Sequence, residues 1–256
     1  EIASCLVGSE MCIRDRDTYV LVHGAWHTGA EMEATATHLR ARGHTVHCPT
    51  LAGNNPGDDR AATGLADAVD SLAAFIEGQG LTDVRLVGHS YGGMVISHMP
   101  ARLPGRIRRL VYWNAFVPQP GECLNDLVPP HYRALFDQVA ASNGNAVMLP
   151  YPIWREAFIN DADEALAQST YALLNPHPYR TFTEPAQLPV PLAALEVGKS
   201  YLNAQQDTAL PHSLPWHPRL SERLGLFRLV ECPGSHELCF SDPASAALHI
   251  ERAGRD

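Results

Sequence analysis

Leu86-Val87-Gly88-His89-Ser90-Tyr91-Gly92-Gly93 is the stretch on which the fold of this chain turns. Val84-Arg85-Leu86-Val87, leading into it, is a short apolar run that reads as a buried strand. Met94-Val95-Ile96-Ser97-His98-Met99, following it, reads as the start of a helix. A Gly-x-Ser-x-Gly set between strand and helix is a nucleophile elbow. On so tight a turn, side chains two residues either side of the serine would collide with neighbouring backbone, and Gly88 and Gly92 remove them. Gly93 lets the helix start close to the sheet. The turn lifts the Ser90 hydroxyl above the sheet edge and aims the Tyr91 N–H into the same space. The five-residue pattern also arises by chance in Gly-rich turns that bind something else, so the catalytic reading requires partners elsewhere in the chain.

Working outward, Thr18-Tyr-Val-Leu-Val22 is a short buried strand that runs directly into His23-Gly24-Ala25-Trp26-His27. Gly24 lets the backbone turn beneath a ligand, as a second oxyanion donor requires; a plain strand-to-helix turn is the alternative. Ala30 to Arg42 reads as a helix stopped by Gly43, and His44-Thr-Val-His-Cys48 as the second strand. Leu65, Val69, Leu72 and Ile76 recur at helical spacing. Pro100 should kink or end the helix after the elbow. Arg109-Leu-Val-Tyr-Trp113 is a further strand, leading to Asn114-Ala-Phe-Val-Pro118. This alternation implies a parallel sheet covered on both faces.

From Gln119 to about Pro189 the alternation stops. Helices are expected near Pro130 to Ala141, Tyr151 to Asn160 and Asp161 to Leu174, with many large apolar side chains between Leu124 and Phe182. The segment reads both as a helical subdomain with its own small core and as a lid walling an apolar pocket. Strands return near Lys199 to Ala204 and at Leu226 to Cys232, with a helix expected between them. Asp242-Pro243 caps a last helix over Ala244 to Arg252. The expected organisation is a core over 18–118 and 190–256 with a cap inserted over 119–189. Residues 1–17 resemble an adaptor-derived leader and stand outside the fold argument.

Composition narrows the function. At 256 residues the chain can bury a sizeable core. A net charge of −9 and the lack of a basic run argue against nucleic acid and anionic membrane surfaces as partners. No apolar stretch reaches transmembrane length, and no signal peptide is recognisable, so a cytoplasmic monomer or homodimer is expected. The six cysteines form no Cys-x-x-Cys and no Cys/His set with zinc spacing. Cys48 and Cys232, at the ends of apolar runs, are expected to be buried thiols. His44 and His47 are three apart in a strand and point to opposite faces, so no metal and no cofactor is expected.

A serine nucleophile needs a base beside it and an acid behind the base. In an open parallel sheet such groups gather beyond the C-terminal ends of strands. Asp207 and His236 both stand just past such ends, and the order serine, acid, histidine suits the elbow. Glu122, after the strand ending near Asn114, is the runner-up acid.

Five pieces then resemble the α/β-hydrolase superfamily, and more narrowly the branch of plant methyl esterases, hydroxynitrile lyases and related bacterial esterases. They are Val20-Leu-Val-His-Gly-Ala-Trp26, Leu86 to Met94, Arg109 to Pro118, Tyr201 to Asp207 and His236 to Pro243. The resemblance implies an α/β-hydrolase fold, with a mainly parallel sheet and an inserted, mostly helical cap. It implies Ser90, Asp207 and His236 as triad and the backbone amides of Ala25 and Tyr91 as oxyanion hole. Gly24, Trp26, Phe116 and Trp154 are the expected substrate contacts. Lyases of this branch carry a threonine in the first loop and a lysine directly after the histidine; Gly24 and Glu237 occupy those places here, which disfavours the lyase. The expected activity is hydrolysis of a small or medium apolar carboxylic ester or lactone through an acyl-enzyme. A ligand-binding module that has lost catalysis is the competing class.

Overall fold

The apolar runs read from the sequence become parallel strands, flanked by helices that cover both faces. The structure, a computed structural model, describes residues 16–256. The first strands are β1 (Thr18–Val22), β2 (Thr45–His47), β3 (Val84–His89) and β4 (Ile107–Trp113). β5 (Ala146–Val147) and β6 (His177–Pro178) form a small antiparallel ribbon of their own. β7 (Gly198–Ala204) and β8 (Arg228–Cys232) complete the main sheet, whose order is β2-β1-β3-β4-β7-β8. Each neighbouring pair in it is parallel. β3 sits inside the sheet and is buried at every residue, which is why it reads as a continuous run and not an alternating one.

The two-residue period sorts the side chains between two cores. Val20, Val22, Leu86, Leu110, Tyr112 and Tyr201 enter one cluster with α2 (Leu65–Gly78), which follows α1 (Glu33–Ala41), and with α3 (Gly92–Ile96). Tyr19, Leu21, Val87, Val111, Trp113 and Leu202 enter the other, against α1 and the C-terminal helix. The elbow helix breaks after Ile96 and resumes as α4 (Met99–Arg102), the interruption that Pro100 implied.

Between β4 and β7 the chain leaves the sheet. It forms α5 (Pro130–Ser142), α6 (Tyr151–Ile153) running into a π-helical turn Trp154–Phe158, α7 (Glu164–Tyr171) and α8 (Arg180–Thr183). Leu124, Leu127, Tyr132, Phe136, Trp154, Phe158 and Phe182 belong to the same apolar cluster as the sheet face. The segment therefore shares the sheet's core and has no separate one among the described residues.

Some expectations shift. Past β7 no α-helix forms before β8; Pro211, Pro215 and Pro218 interrupt the run, leaving a 3-10 turn at Ser221–Leu224. After β8 come α9 (Leu238–Ser241) and α10 (Pro243–Gly254), the latter capped as predicted by the Asp242 carboxylate, which accepts from Ser245 N at 2.9 Å. The leader reading falls mostly outside the described residues, as do Cys5 and Cys12. Asp17 belongs with the sheet: its carboxylate pairs with Arg85 at 2.9 Å and its carbonyl accepts from Thr45 N. Cys232 is buried and Cys48 only partly so; both are free thiols. No helix among the described residues is long and apolar enough to cross a membrane.

Two glycines test how closely α3 is seated. A Cβ at Gly93 would stand 2.2 Å from the Phe116 carbonyl oxygen, whereas one at Gly78 meets nothing within 4 Å. Gly93→Ala should lower stability by about 2 kcal/mol or more through forced displacement of the helix. Gly78→Ala should be neutral or stabilising by about 0.5 kcal/mol. Urea unfolding of the two variants checks both, and equal effects would contradict the packing described.

Candidate active site

The elbow is held from both sides. Ser90 has φ +53°, a left-handed conformation unusual for a residue with a Cβ. It is kept there by hydrogen bonds from Ser90 N to the Trp113 carbonyl, 3.2 Å, and from Phe116 N to the Ser90 carbonyl, 3.1 Å. A Cβ on Gly88 would meet the Gly92 backbone at 2.8 Å, and one on Gly92 would meet the Val22 carbonyl oxygen at 2.8 Å. The turn closes only because those two side chains are absent.

Beyond the ends of β7 and β8 the chain brings Asp207 and His236 together. His236 Nδ1 donates to Asp207 Oδ2 at 2.6 Å, with both side chains almost wholly buried. Asp207 Oδ2 also accepts from Asn114 Nδ2 at 2.6 Å, and Oδ1 accepts from Ala209 N at 2.8 Å. Asn114 is itself fixed: Ala204 N donates to its Oδ1 at 2.6 Å, and its backbone adopts φ +36°, which asparagine tolerates better than most residues. Glu122, the runner-up acid, is elsewhere. It pairs with Arg223 at 2.6 Å and accepts from Gln119 N at 2.8 Å, fastening the start of the inserted segment to the 3-10 turn before β8. Asn114 was passed over in the sequence, although an asparagine immediately after a strand that borders the elbow was the available signal.

His236 differs electrostatically from the other histidines. Burial opposes its charge, but the adjacent Asp207 carboxylate, which also accepts its hydrogen bond, and the Glu237 carboxyl outweigh burial and hold its pKa above the ordinary value. Burial pushes His23 down to about 4 and His27 down to about 3, and holds His89 and His177 well below the usual range. Among the described residues, His236 alone is a histidine moved upward.

Ser90 and His236 face one narrow slot, whose walls are aromatic and aliphatic. Trp26, Phe116, Phe136, Phe158, Phe182 and Trp216 are among its lining residues. Trp216, unassigned in the sequence because it sits in a proline-rich stretch, stacks on the His236 ring with centroids 5.2 Å apart. Of the expected substrate contacts, Trp26 and Phe116 line the slot. Trp154 is a correction: it stands behind Phe158, stacked at 6.3 Å, with its indole N–H given to the Ala167 carbonyl. Gly24 is likewise not a wall. A Cβ there would approach Ser90 Cβ at 3.1 Å and His89 Nδ1 at 3.0 Å, so the glycine works by leaving room. Ala25 and Tyr91 both reach the slot, and their N–H groups donate to no acceptor among the described residues. Trp26, at φ +67°, holds that loop: its indole N–H donates to the Val147 carbonyl and its carbonyl accepts from Asn175 N.

Beneath the slot lies a layer of buried polar groups. His89 Nε2 donates to the His236 carbonyl at 2.9 Å, and His27 Nε2 lies 2.9 Å from Glu237 Oε2. Ring nitrogens of His89 and His236 and a carboxylate oxygen of Glu237 all lie within 4.8 Å of one another. Each of those side chains already has a protein partner, so the group reads as a hydrogen-bonded network and not as a cofactor cradle.

Comparison with known proteins identifies the family and the fold. Residues 19–247 match the model of the "Alpha/beta hydrolase family". An extracellular alpha/beta-hydrolase from a Paenibacillus species, described as sharing structural and functional homology with tobacco salicylic acid binding protein 2, is 36% identical with a TM-score of 0.90. That match takes in 94% of this chain and 100% of the other. A carbendazim hydrolyzing esterase of Nocardioides sp. is 44% identical over 48% of this chain and 50% of that enzyme, so the aligned part spans only about half of it. A pyrethroid hydrolase of Sphingobium wenxiniae is 29% identical over 90% of this chain and 85% of its own.

Asn114 offers a direct check on how the acid is held. Asn114→Ala removes the side-chain hydrogen bonds to Asp207 and Ala204 and should cost about 2–4 kcal/mol of stability. Turnover of a chromogenic ester should fall at least tenfold, because Asp207 is freed to rotate away from His236. Unchanged turnover would mean that Ala209 N and His236 suffice to fix the carboxylate.

Proposed function

The chain belongs to the alpha/beta hydrolase family, and from that premise we propose that it is a serine hydrolase of neutral, apolar carboxylic esters. The observation that carries this reading is the buried 2.6 Å Asp207–His236 hydrogen bond opening onto the slot that Ser90 faces. The names of the relatives, an esterase and a pyrethroid hydrolase among them, support ester hydrolysis.

The steps follow from the geometry. Asp207 accepts from Nδ1, so His236 presents Nε2 as a lone pair and can take the Ser90 proton as the oxygen attacks the ester carbonyl. The oxyanion that forms finds the unpartnered N–H groups of Ala25 and Tyr91, which need not reorganise to receive it. The imidazolium returns its proton to the departing alcohol, leaving Ser90 acylated. Water then attacks the acyl carbon with His236 again as base, and Ser90 is released. The slot offers charge complementarity to no anion or cation, so the acyl and alcohol parts that fit it are uncharged. A lyase is disfavoured: the place of its lysine holds Glu237, an acid tied to His27.

Ser90→Ala should abolish hydrolysis of p-nitrophenyl butyrate, by on the order of 10⁴-fold or more, with the fold intact. Asp207→Asn should cost several orders of magnitude and Glu122→Gln little, since the latter acid faces Arg223 and not His236. Turnover of the three variants on that ester decides the assignment; a crippled Glu122→Gln beside an active Asp207→Asn would reverse it.

The pH profile is a separate test. His236 must be neutral to act as base, and its pKa is held above the ordinary 6.5. Activity should therefore be lost as pH falls through a midpoint above 6.5, read as the acid limb of kcat/KM. A midpoint below 6.5 would show that Asp207 does not hold the imidazolium as described.

A further inference from the structure

Glu237 has no task in the acyl-transfer steps, yet it directly follows the base and is only 1% exposed. Its Oε2 is 2.9 Å from His27 Nε2 and 3.5 Å from Cys239 Sγ. The edge of the His27 ring is closed off by Trp154 and Phe240, at 5.9 Å and 5.7 Å between centroids. No lysine or arginine is paired with this carboxyl among the described residues. A buried acid costs several kcal/mol unless it is matched by hydrogen bonds or opposite charge. His27 supplies one hydrogen bond and the Cys239 thiol a weaker one. A further match is the charge that His236 acquires during turnover, with a ring nitrogen within 4.8 Å of the Glu237 carboxylate.

We propose that Glu237, held by His27, is a positioning residue of the site: a second carboxylate, besides Asp207, that stabilises the His236 imidazolium through space. No bond is made or broken at Glu237; its contribution is electrostatic and grows as the base takes the serine proton. The surroundings suit that role. His27 stays neutral, because burial first and the neighbouring His23 and His236 next hold its pKa down to about 3. Burial raises Glu237 to about 7, against the pull of His236. Its negative charge thus appears as pH rises through about 7. The other titratable groups facing it are His89, kept neutral by burial, the Cys239 thiol, kept protonated by burial and by Glu237 itself, Asp207, and Glu31 from the 3-10 turn Gly29–Met32.

The proposal rests on Ser90, Asp207 and His236 acting as proposed above, and its test separates the two. Glu237→Gln keeps the volume and can still hydrogen-bond His27, but removes the charge. Its acid limb of kcat/KM on p-nitrophenyl butyrate should move to lower pH by about half a unit or more, since an imidazolium without the second carboxylate loses its proton more readily. Its kcat should fall about fivefold with KM unchanged. A merely structural glutamate would lower the melting temperature without moving the limb. His27→Phe is the second arm, for use if Glu237→Gln does not fold: without its donor the buried acid keeps its proton, and the limb moves the same way. His27→Gln restores the donor and returns the limb. If Ser90→Ala is dead and the limb is unmoved in Glu237→Gln, or in His27→Phe, the proposal is overturned while the triad stands. If Ser90→Ala keeps its activity, the triad itself is wrong.

Discussion

The hydrogen bond between Asp207 and His236 is the interaction on which the site depends, and it exists only because other groups match the carboxylate's remaining needs. A charged pair taken out of water must recover its solvation from the protein. Asn114 Nδ2 and Ala209 N supply that recovery, and Ala204 N in turn fixes Asn114. The three elements involved are β4, β7 and the loop after β8. Their parallel register sets Trp113 beside Leu202 and Ala204 beside Cys232, so the residues just beyond those strands are neighbours although far apart in sequence. The sheet is thus the device that converts sequence distance into a contact of hydrogen-bond length.

That dependence explains what could be read from the sequence. The elbow was legible because its chemistry is local: Gly88, Ser90 and Gly92 satisfy a steric condition within five residues. The strands were legible from runs of apolar residues, and Asp207 and His236 from their distance past the strand ends. Asn114 was not, because its role is defined by a partner 93 residues away and by a backbone angle. Trp154 was misplaced for a related reason. An aromatic residue in the inserted segment has an equal prospect of facing the slot or backing it, and only packing tells that Phe158 is in front. The proline-rich stretch that carries Trp216 had no period to read, yet it sets an aromatic face on the His236 imidazole.

The inserted segment and the sheet face share one apolar cluster. The slot is therefore walled by residues whose positions are set by core packing and not by a loop free to fold over. Phe136, Phe158 and Phe182 meet Trp26 at 5.6–6.2 Å between ring centroids, so the wall of the slot is anchored to the loop that carries Ala25. Fixed walls of this kind select by shape, because a molecule too bulky for the slot would be admitted only at a cost in packing strain.

The layer of neutral histidines beneath the slot bears on the survival of the fold in acid. His23 and His27 titrate near 4 and 3 when folded and near 6.5 when the chain is open. Between those values the unfolded chain binds protons that the folded one refuses, so stability declines as pH falls below 6.5, by up to about 1.4 kcal/mol per pH unit for each such group. Glu237 acts in the opposite sense between 4.5 and about 7, where the folded chain holds the extra proton, and offsets about one histidine there. His89 and His177 add to the decline. The same burial that keeps these histidines uncharged makes acid the condition that loosens the fold, progressively as pH falls from 6.5 toward 3.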